Sequence, residues 1–458
     1  MFHRQAKHLS RWLLGIACSA VSAIALGESA SGAISAAPAP RQSQLRYDYD
    51  YPTIGYSQTA THNRIARLQE RLDRGEVTLR YEKPRGYLDS LLRALDIDPS
   101  SQALVFSKTS LQVNAINAAT PRALYFNEDT YVAYVQGTGL LEFNTFDSKL
   151  GPVFYTMINE PNQRHFEREN SRCLACHDTF SMLGGGVPRF LVMSSFVDAN
   201  GQMVTNDTSI ETTDATPIAE RWAGWYVTGR SGTQAHLGNI IFKPGDVRAN
   251  QVVDLPAIQR TNLDTLEGLL DTRPYPTDKS DIVALLVFEH QINVENLVTR
   301  ANFKSRTLMA REHQDVATPT WAELSPKMQR MLRPMMDSIV NALFFVNAAP
   351  LMDTVTSSSG FDRWFQSRGP RDARGRSLRK LDLKTRLFTY PLSYMVYSEG
   401  FEGLPPSARD YIYRRVRDVL TGVDTSPELA HSGADERKAA LEILTATKPE
   451  FARLKSGA

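Results

Sequence analysis

Cys173-Leu174-Ala175-Cys176-His177 is the stretch on which the reading of this chain turns. Two cysteines separated by two residues and followed at once by a histidine make the attachment signature of a c-type haem. The chemistry accounts for the spacing. Two thiols add to the two vinyl groups of a porphyrin, and the intervening residues set the sulfurs apart. The adjoining imidazole then reaches the iron from the same side, where the axial ligand sets much of its potential. A bare Cys-x-x-Cys would also suit zinc or a redox dithiol. A structural zinc site takes about four ligands, usually with a second Cys/His pair, and the sequence has no such pair. A thioredoxin-like motif opens a helix in a βαβ unit, which Gly184-Gly185-Gly186-Val187-Pro188 downstream does not spell. The sequence therefore predicts one haem c, bound by Cys173 and Cys176, with His177 as axial ligand.

The rest of the cysteine inventory agrees. The chain has Cys 3 in all, and Cys18 lies in a segment that reads as an export signal. His3, Arg4, Lys7, His8 and Arg11 form a basic start, and Trp12 to Leu26 is an apolar run too short for a comfortable membrane span. Small residues follow, and cleavage is expected between Ala25 and Ala37. A lipoprotein reading through Cys18 is weaker, because Gly15 stands where a branched aliphatic is wanted. Residues 1–37 are read as a signal peptide, which makes the protein periplasmic or otherwise exported. Membrane association is expected only if this segment stays uncleaved. The mature chain then keeps Cys173 and Cys176 alone, with no structural disulfide in a compartment that permits them. Bacterial c-type haems are attached outside the cytoplasmic membrane, so export and motif support each other.

The 458 residues allow roughly two or three domains. Hydrophobic residues at 42% and charged residues at 22% are ordinary globular values that permit a large core. Lys+Arg 52 against Asp+Glu 50 leaves a formal net charge of +2, which offers no argument for nucleic acid or an anionic membrane surface as partner.

Residues 38–102 read as a tether and N-terminal helices. Tyr47, Tyr49 and Tyr51 alternate with Asp48 and Asp50 in a strand-like period of two, and helices are predicted over Thr61–Arg74 and Tyr87–Leu95. Residues 103–248 form a β-rich haem-binding region. Leu124–Phe126, Tyr131–Val135 and Val153–Tyr155 are strand-like runs broken by Asn127-Glu128-Asp129 and Gly137-Thr138-Gly139. Further strands are predicted over Pro188–Val197, around Trp222, Trp225 and Tyr226, and over Leu237–Phe242. A hairpin turn is expected at Asp198-Ala199-Asn200-Gly201. Residues 249–458 turn helical, with helices over Asp281–Glu312, Pro326–Asn347, Gly360–Gln366, Ser407–Leu420 and Ala434–Leu444, and with Ser407 as a cap. The fold class is α+β: a β-rich, haem-bearing middle followed by a mainly helical C-terminal part.

A buried electron-transfer iron is best held six-coordinate, so a second axial ligand is expected. His290 and His236 are the candidates: the first lies on the long helix in line with Val283, Leu286, Val294 and Leu297, the second on a loop leading to a predicted strand. Met193, Met203 or an open position are the alternatives. Trp222, Trp225 and Tyr226 suit packing on a porphyrin as well as ordinary core. The basic run from Arg363 through Arg368, Arg371, Arg374, Arg376, Arg379, Lys380 and Lys384 to Arg386 suits an acidic partner, haem propionates or a solvated face. Glu289-His290-Gln291 and Glu312-His313-Gln314 lack the Glu-x-x-His spacing of di-iron bundles. No nucleophile elbow, phosphate loop or His-Glu-x-x-His zinc motif occurs.

Around the motif the sequence locally resembles the small class I cytochromes c. There the free nitrogen of the proximal histidine bonds to a proline carbonyl about a dozen residues on, and Pro188 stands in the matching place. The whole chain resembles a functionally unassigned family of large, exported, single-haem bacterial cytochromes c. The likeness rests on Cys173–His177, on Arg221-Trp222-Ala223-Gly224-Trp225-Tyr226-Val227-Thr228-Gly229 with His236-Leu237-Gly238-Asn239, and on Gly369-Pro370-Arg371-Asp372 through Leu381-Asp382-Leu383-Lys384-Thr385-Arg386. It implies a cytochrome c and nothing finer. The expected function is one-electron transfer to or from an unknown redox protein. A peroxidase-like enzyme and a haem-based redox or gas sensor are the rivals.

Overall fold

The structure, a computed structural model, describes residues 50–178, 186–205, 209–248, 251–252, 261–429 and 432–454. The signal peptide reading over residues 1–37, Tyr47 and Tyr49 of the first strand reading, and Gly184 and Gly185 lie outside these. Residues Arg46–Ala458 form one compact unit.

The sheet is a run of antiparallel neighbours: β1 (Ala103–Val105), β2 (Arg122–Phe126), β3 (Thr130–Val135), β4 (Leu140–Asp147), β5 (Gly151–Ile158) and β6 (Glu167–Arg168). β9 (Trp225–Tyr226) is added beyond β1, in the order β6-β5-β4-β3-β2-β1-β9. A second pair, β7 (Met193–Ser195) with β8 (Ser209–Glu211), stands apart. Turn chemistry sets the register. The Asn127 carboxamide accepts from the amides of Asp129 and Thr130, closing the β2–β3 turn. Gly137 takes φ 74° between β3 and β4, where a left-handed residue is needed. Leu124 then faces Ala133, which faces Glu142; Tyr131 faces Asn144, which faces Phe154. With a side-chain period of two, these rows share one face of the sheet.

That face is covered by α4 (Ile282–Arg311), a 30-residue helix. Asp281 caps it, accepting from the amides of Val283 and Ala284, while its other oxygen binds the amides of Ser358 and Ser359. The helix is buried on nearly every side, and its buried residues include Glu289, His290, Gln291, Glu295 and Asn302 besides the apolar ones. Before the sheet come α1 (Arg64–Asp73), capped by Asn63, and α2 (Leu88–Ala94). α3 (Leu174–His177) is the single turn that carries the motif. α5 (Pro326–Leu343), α6 (Phe361–Ser367), α7 (Pro406–Thr421) and α8 (Ala434–Thr447) complete the C-terminal part. One core runs through the N-terminal helices, the sheet and the C-terminal helices. Among the described residues no helix is long and apolar enough to cross a membrane.

The α+β class stands, with five local corrections. Leu237–Phe242 is no strand: Leu237, Ile240 and Phe242 pack with Phe196 and Val247 in a small separate cluster, so their apolar character serves packing rather than a ladder. Trp222 is left-handed at φ 70°, which ends the predicted strand at Trp225. α7 begins at Pro406 behind Pro405, so Ser407 lies inside the helix instead of capping it. Tyr51 starts a turn, with its carbonyl accepting from Ile54 and Gly55. Of Pro188–Val197 only Met193–Ser195 pairs as a strand, while the Asp198–Gly201 turn forms as expected.

Candidate functional site

One helical turn is enough to gather the motif. The amides of Cys176 and His177 both return to the carbonyl of Cys173. Leu174 is buried and anchors the turn, Cys173 is half-buried and Cys176 is exposed. Both are thiols rather than halves of a disulfide. Cys173, Cys176 and His177 stand together on the wall of a cavity of about 400 Å³, a size typical of ligand sites. The sheet face supplies Leu124, Tyr131, Ala133 and Phe154 to that wall, and α4 supplies Phe288 and Ile292.

His177 is oriented by a backbone carbonyl. Its Nδ1 lies 2.8 Å from the Arg189 oxygen, and the Arg189 amide returns a 3.0 Å bond to the His177 oxygen. A carbonyl only accepts, so Nδ1 carries the hydrogen and Nε2 keeps its lone pair. The acceptor is Arg189 and not Pro188, one residue further along than the sequence suggests. The Phe154 ring packs at 4.6 Å on the imidazole. Burial pushes His177 down to about 4, so it is neutral near pH 7. Burial also pushes the Cys173 thiol up to about 12, with Glu169 and Glu142 adding to the effect. The Cys173 side chain is thus held as the neutral thiol near pH 7. Among the described residues no group of three or more His, Cys, Asp or Glu is placed to hold a metal ion.

The wall also carries cations. Arg122 donates to the Thr109 carbonyl at 2.9 Å, its Nε has no partner, and its nearest carboxylate oxygen, on Glu142, is 3.9 Å away. Glu142 is itself engaged by the Ser110 hydroxyl and the Leu111 amide. A second, longer bond of 3.4 Å reaches the Thr109 hydroxyl, so the half-buried guanidinium is only partly paired, and burial lowers its pKa. Apolar walls, two thiols, one imidazole with a spare lone pair and an under-compensated arginine suit a flat apolar macrocycle bearing carboxylates.

Neither histidine expected as second axial ligand reaches this wall. His290 is fully buried, with Nδ1 3.0 Å from Asp214 Oδ2 and Nε2 2.6 Å from Ser393 Oγ. The reason is helical geometry. Phe288 and Ile292 face the cavity, and a residue two positions from each lies on the opposite side of the helix. Phe345 and Phe388 crowd the ring instead. The Asp214–His290–Ser393 order matches that of a hydrolytic triad, but Ser393 is fully buried and its Oγ caps a turn by accepting from the Met395 amide. His236 is buried edge-on to Trp222, accepts from the Gly238 amide at 3.1 Å, and is pushed down to about 4 by burial. Met203 is 55% exposed and off the wall, whereas Met193 lies on it.

Trp225 alone of its aromatic group lines the cavity, with Nε1 donating to the Met193 carbonyl at 2.7 Å. Trp222 donates to Glu289, which is also paired with Arg221, and Tyr226 donates to Ala118. Much of the basic run is consumed internally: Arg368 and Arg379 bind Glu128, Arg376 binds Asp372 and Glu442, and Arg386 binds Glu436.

Sequence reasoning missed Arg122, Tyr131, Phe288, Ile292 and Asn296. Only the four-residue spacing from Phe288 through Ile292 to Asn296 hints that they share a face. Tyr131 donates to Glu295 at 2.7 Å and accepts from Gln291, whose Oε1 accepts from Tyr394. Burial holds Glu295 well above the usual carboxylate range. No protein-family model, curated protein or solved structure matches the chain.

Proposed function

We propose that this chain is an exported c-type cytochrome that carries one haem, attached through Cys173 and Cys176 with His177 as axial ligand, and that it transfers single electrons to or from a separate redox protein. One observation carries the reading: both thiols and an imidazole with a spare Nε2 stand on one apolar cavity. The haem, when bound, supplies an iron that cycles between ferric and ferrous. The chain's own residues do the rest. The Arg189 carbonyl turns His177 and raises the basicity of Nε2. Phe154, Phe288 and Ile292 exclude water, which favours the less charged, reduced state. Arg122 offers a guanidinium to a carboxylate. The resemblance of Cys173–His177, Arg221–Gly229 and Gly369–Arg386 to large exported single-haem cytochromes supports the same reading. The basic start and apolar run before Ala25 support export to the periplasm.

A second reading, a haem that binds a small gas or turns over peroxide, is favoured by the removal of His236 and His290 from the cavity wall. Under the electron-transfer reading, Met193, which lies on the wall, would be the residue left to supply a second ligand. The test is an optical spectrum of the purified protein. A low-spin iron closed to carbon monoxide, turned high-spin by Met193→Ala, supports electron transfer. A high-spin iron that takes up carbon monoxide from the start favours the second reading. Haem that leaves freely in acidic solvent overturns both.

A further inference from the structure

We propose that Asn296 is the positioning residue of His177, acting through the backbone of residues 189 and 190. The inference rests on the haem reading above.

Asn296 lies one turn beyond Ile292 on the same face of α4, just past the residues that line the cavity. Its Oδ1 accepts from the Phe190 amide at 2.8 Å and its Nδ2 donates to the Phe190 carbonyl at 3.0 Å. The partners settle which end of the carboxamide is which, because a carbonyl requires a donor and an amide an acceptor. Phe190 is thus held from both sides. The preceding residue, Arg189, is the one that grips His177 twice, through its amide at 3.0 Å and through its carbonyl on Nδ1 at 2.8 Å. The motif itself sits on one turn of helix, too short to be rigid alone. The orientation of the imidazole is therefore borrowed from a 30-residue helix that is distant in sequence. The bond to Nδ1 governs how strongly Nε2 donates to a bound iron. Releasing Phe190 loosens that bond, weakens the donor and disfavours the ferric state.

The experiment uses the full chain carrying haem. Asn296→Leu should keep its covalent haem while its reduction potential rises by about tenfold in the oxidised-to-reduced ratio, or about 59 mV for one electron. Asn302→Leu is the control. Asn302 lies on the same helix and binds the Ser148 and Gly403 carbonyls, at 3.1 and 3.0 Å, with no residue on the cavity wall. It should lower thermal stability and leave the potential alone. An unchanged potential in haem-bearing Asn296→Leu overturns the inference, and so does an equal shift in Asn302→Leu. Should Asn296→Leu fail to fold, Asn296→Ser, which cuts the same two bonds with less bulk, is read in the same way. Wild-type protein without covalent haem sinks the functional reading, whereas wild type with haem and an unshifted variant sinks this inference alone.

Discussion

His177 is half-buried and His290 fully buried, and only the first has a nitrogen uncommitted to a side chain. His177 gives Nδ1 to a backbone carbonyl and shows its other edge to a cavity. His290 gives both nitrogens to side chains, Asp214 and Ser393, and is packed by aromatic rings. A ligand needs an uncommitted lone pair and space beside it, and burial alone supplies neither. The first histidine sits on a single turn next to the sheet, the second on the far side of a central helix. Around His177 the structure leaves room and an unpaired guanidinium nitrogen. Around His290 it closes a network that includes the buried Arg221–Glu289 pair.

The sharpest break in this comparison is chemical. Cys173→Ser combined with Cys176→Ser should abolish covalent haem altogether, as measured by the haem left on the denatured chain after acidic-solvent extraction. Survival of the covalent adduct would end the cavity's claim.

Next in size is the other region. Arg221→Met leaves the fully buried Glu289 without its cation, and loss of one member of a buried pair costs about 3–5 kcal/mol. Chemical denaturation should show that loss, while the optical spectrum keeps the wild-type form. A changed spectrum would mean that the two regions are not separable.

A pH titration of stability tests the second excluded histidine. His236 is pushed down to about 4 in the folded chain, against an ordinary value near 6.5. Between those values the unfolded chain binds the extra proton, so stability is fully present above about pH 6.5 and falls as the pH drops towards 4. The contribution is about 3 kcal/mol. His236→Gln, which can still accept from the Gly238 amide, should flatten that part of the profile by this amount. His177 titrates in the same window only when no iron holds it, so wild type and variant must be compared with the same haem content. Identical profiles would refute the assignment.

The smallest effect is expected at His290 itself. In His290→Leu, Asp214 keeps Asn293 and Ser393 keeps the Met395 amide. The loss should be about 1–3 kcal/mol, with the optical spectrum unchanged. A low-spin iron that turns high-spin in this variant would restore His290 as an axial ligand.

Much of the framework was legible because it is local. The α4 reading, Asp281–Glu312, differs from the helix Ile282–Arg311 by its cap and one terminal residue, and α1, α2, α6 and α8 fall within a few residues of their predicted spans. Strands β2, β3 and β5 lie where alternation and turn residues put them. The failures share a cause. Leu237–Phe242 is apolar because it packs against Phe196 and Val247, and apolar character without a partner strand does not make a ladder. His290 lies in line with Val283, Leu286 and Val294, but α4 is buried on nearly every side and mixes apolar with polar residues there, so no single stripe marks the side that meets the cavity.

What the sequence by itself determined is the chemistry of Cys173, Cys176 and His177. Two thiols and an imidazole within five consecutive residues are brought together by one helical turn, whatever surrounds them. Tertiary structure decided everything that meets this trio. Strand register turns Leu124, Tyr131, Ala133 and Phe154 to one face, and the rotation of α4 turns Phe288 and Ile292 inward and His290 away. The pairing of Asn296 with Phe190 carries the grip on His177 across more than a hundred residues of chain. Such contacts depend on how separate elements pack, and neither hydrophobic period nor motif spacing encodes which face of one element another will meet.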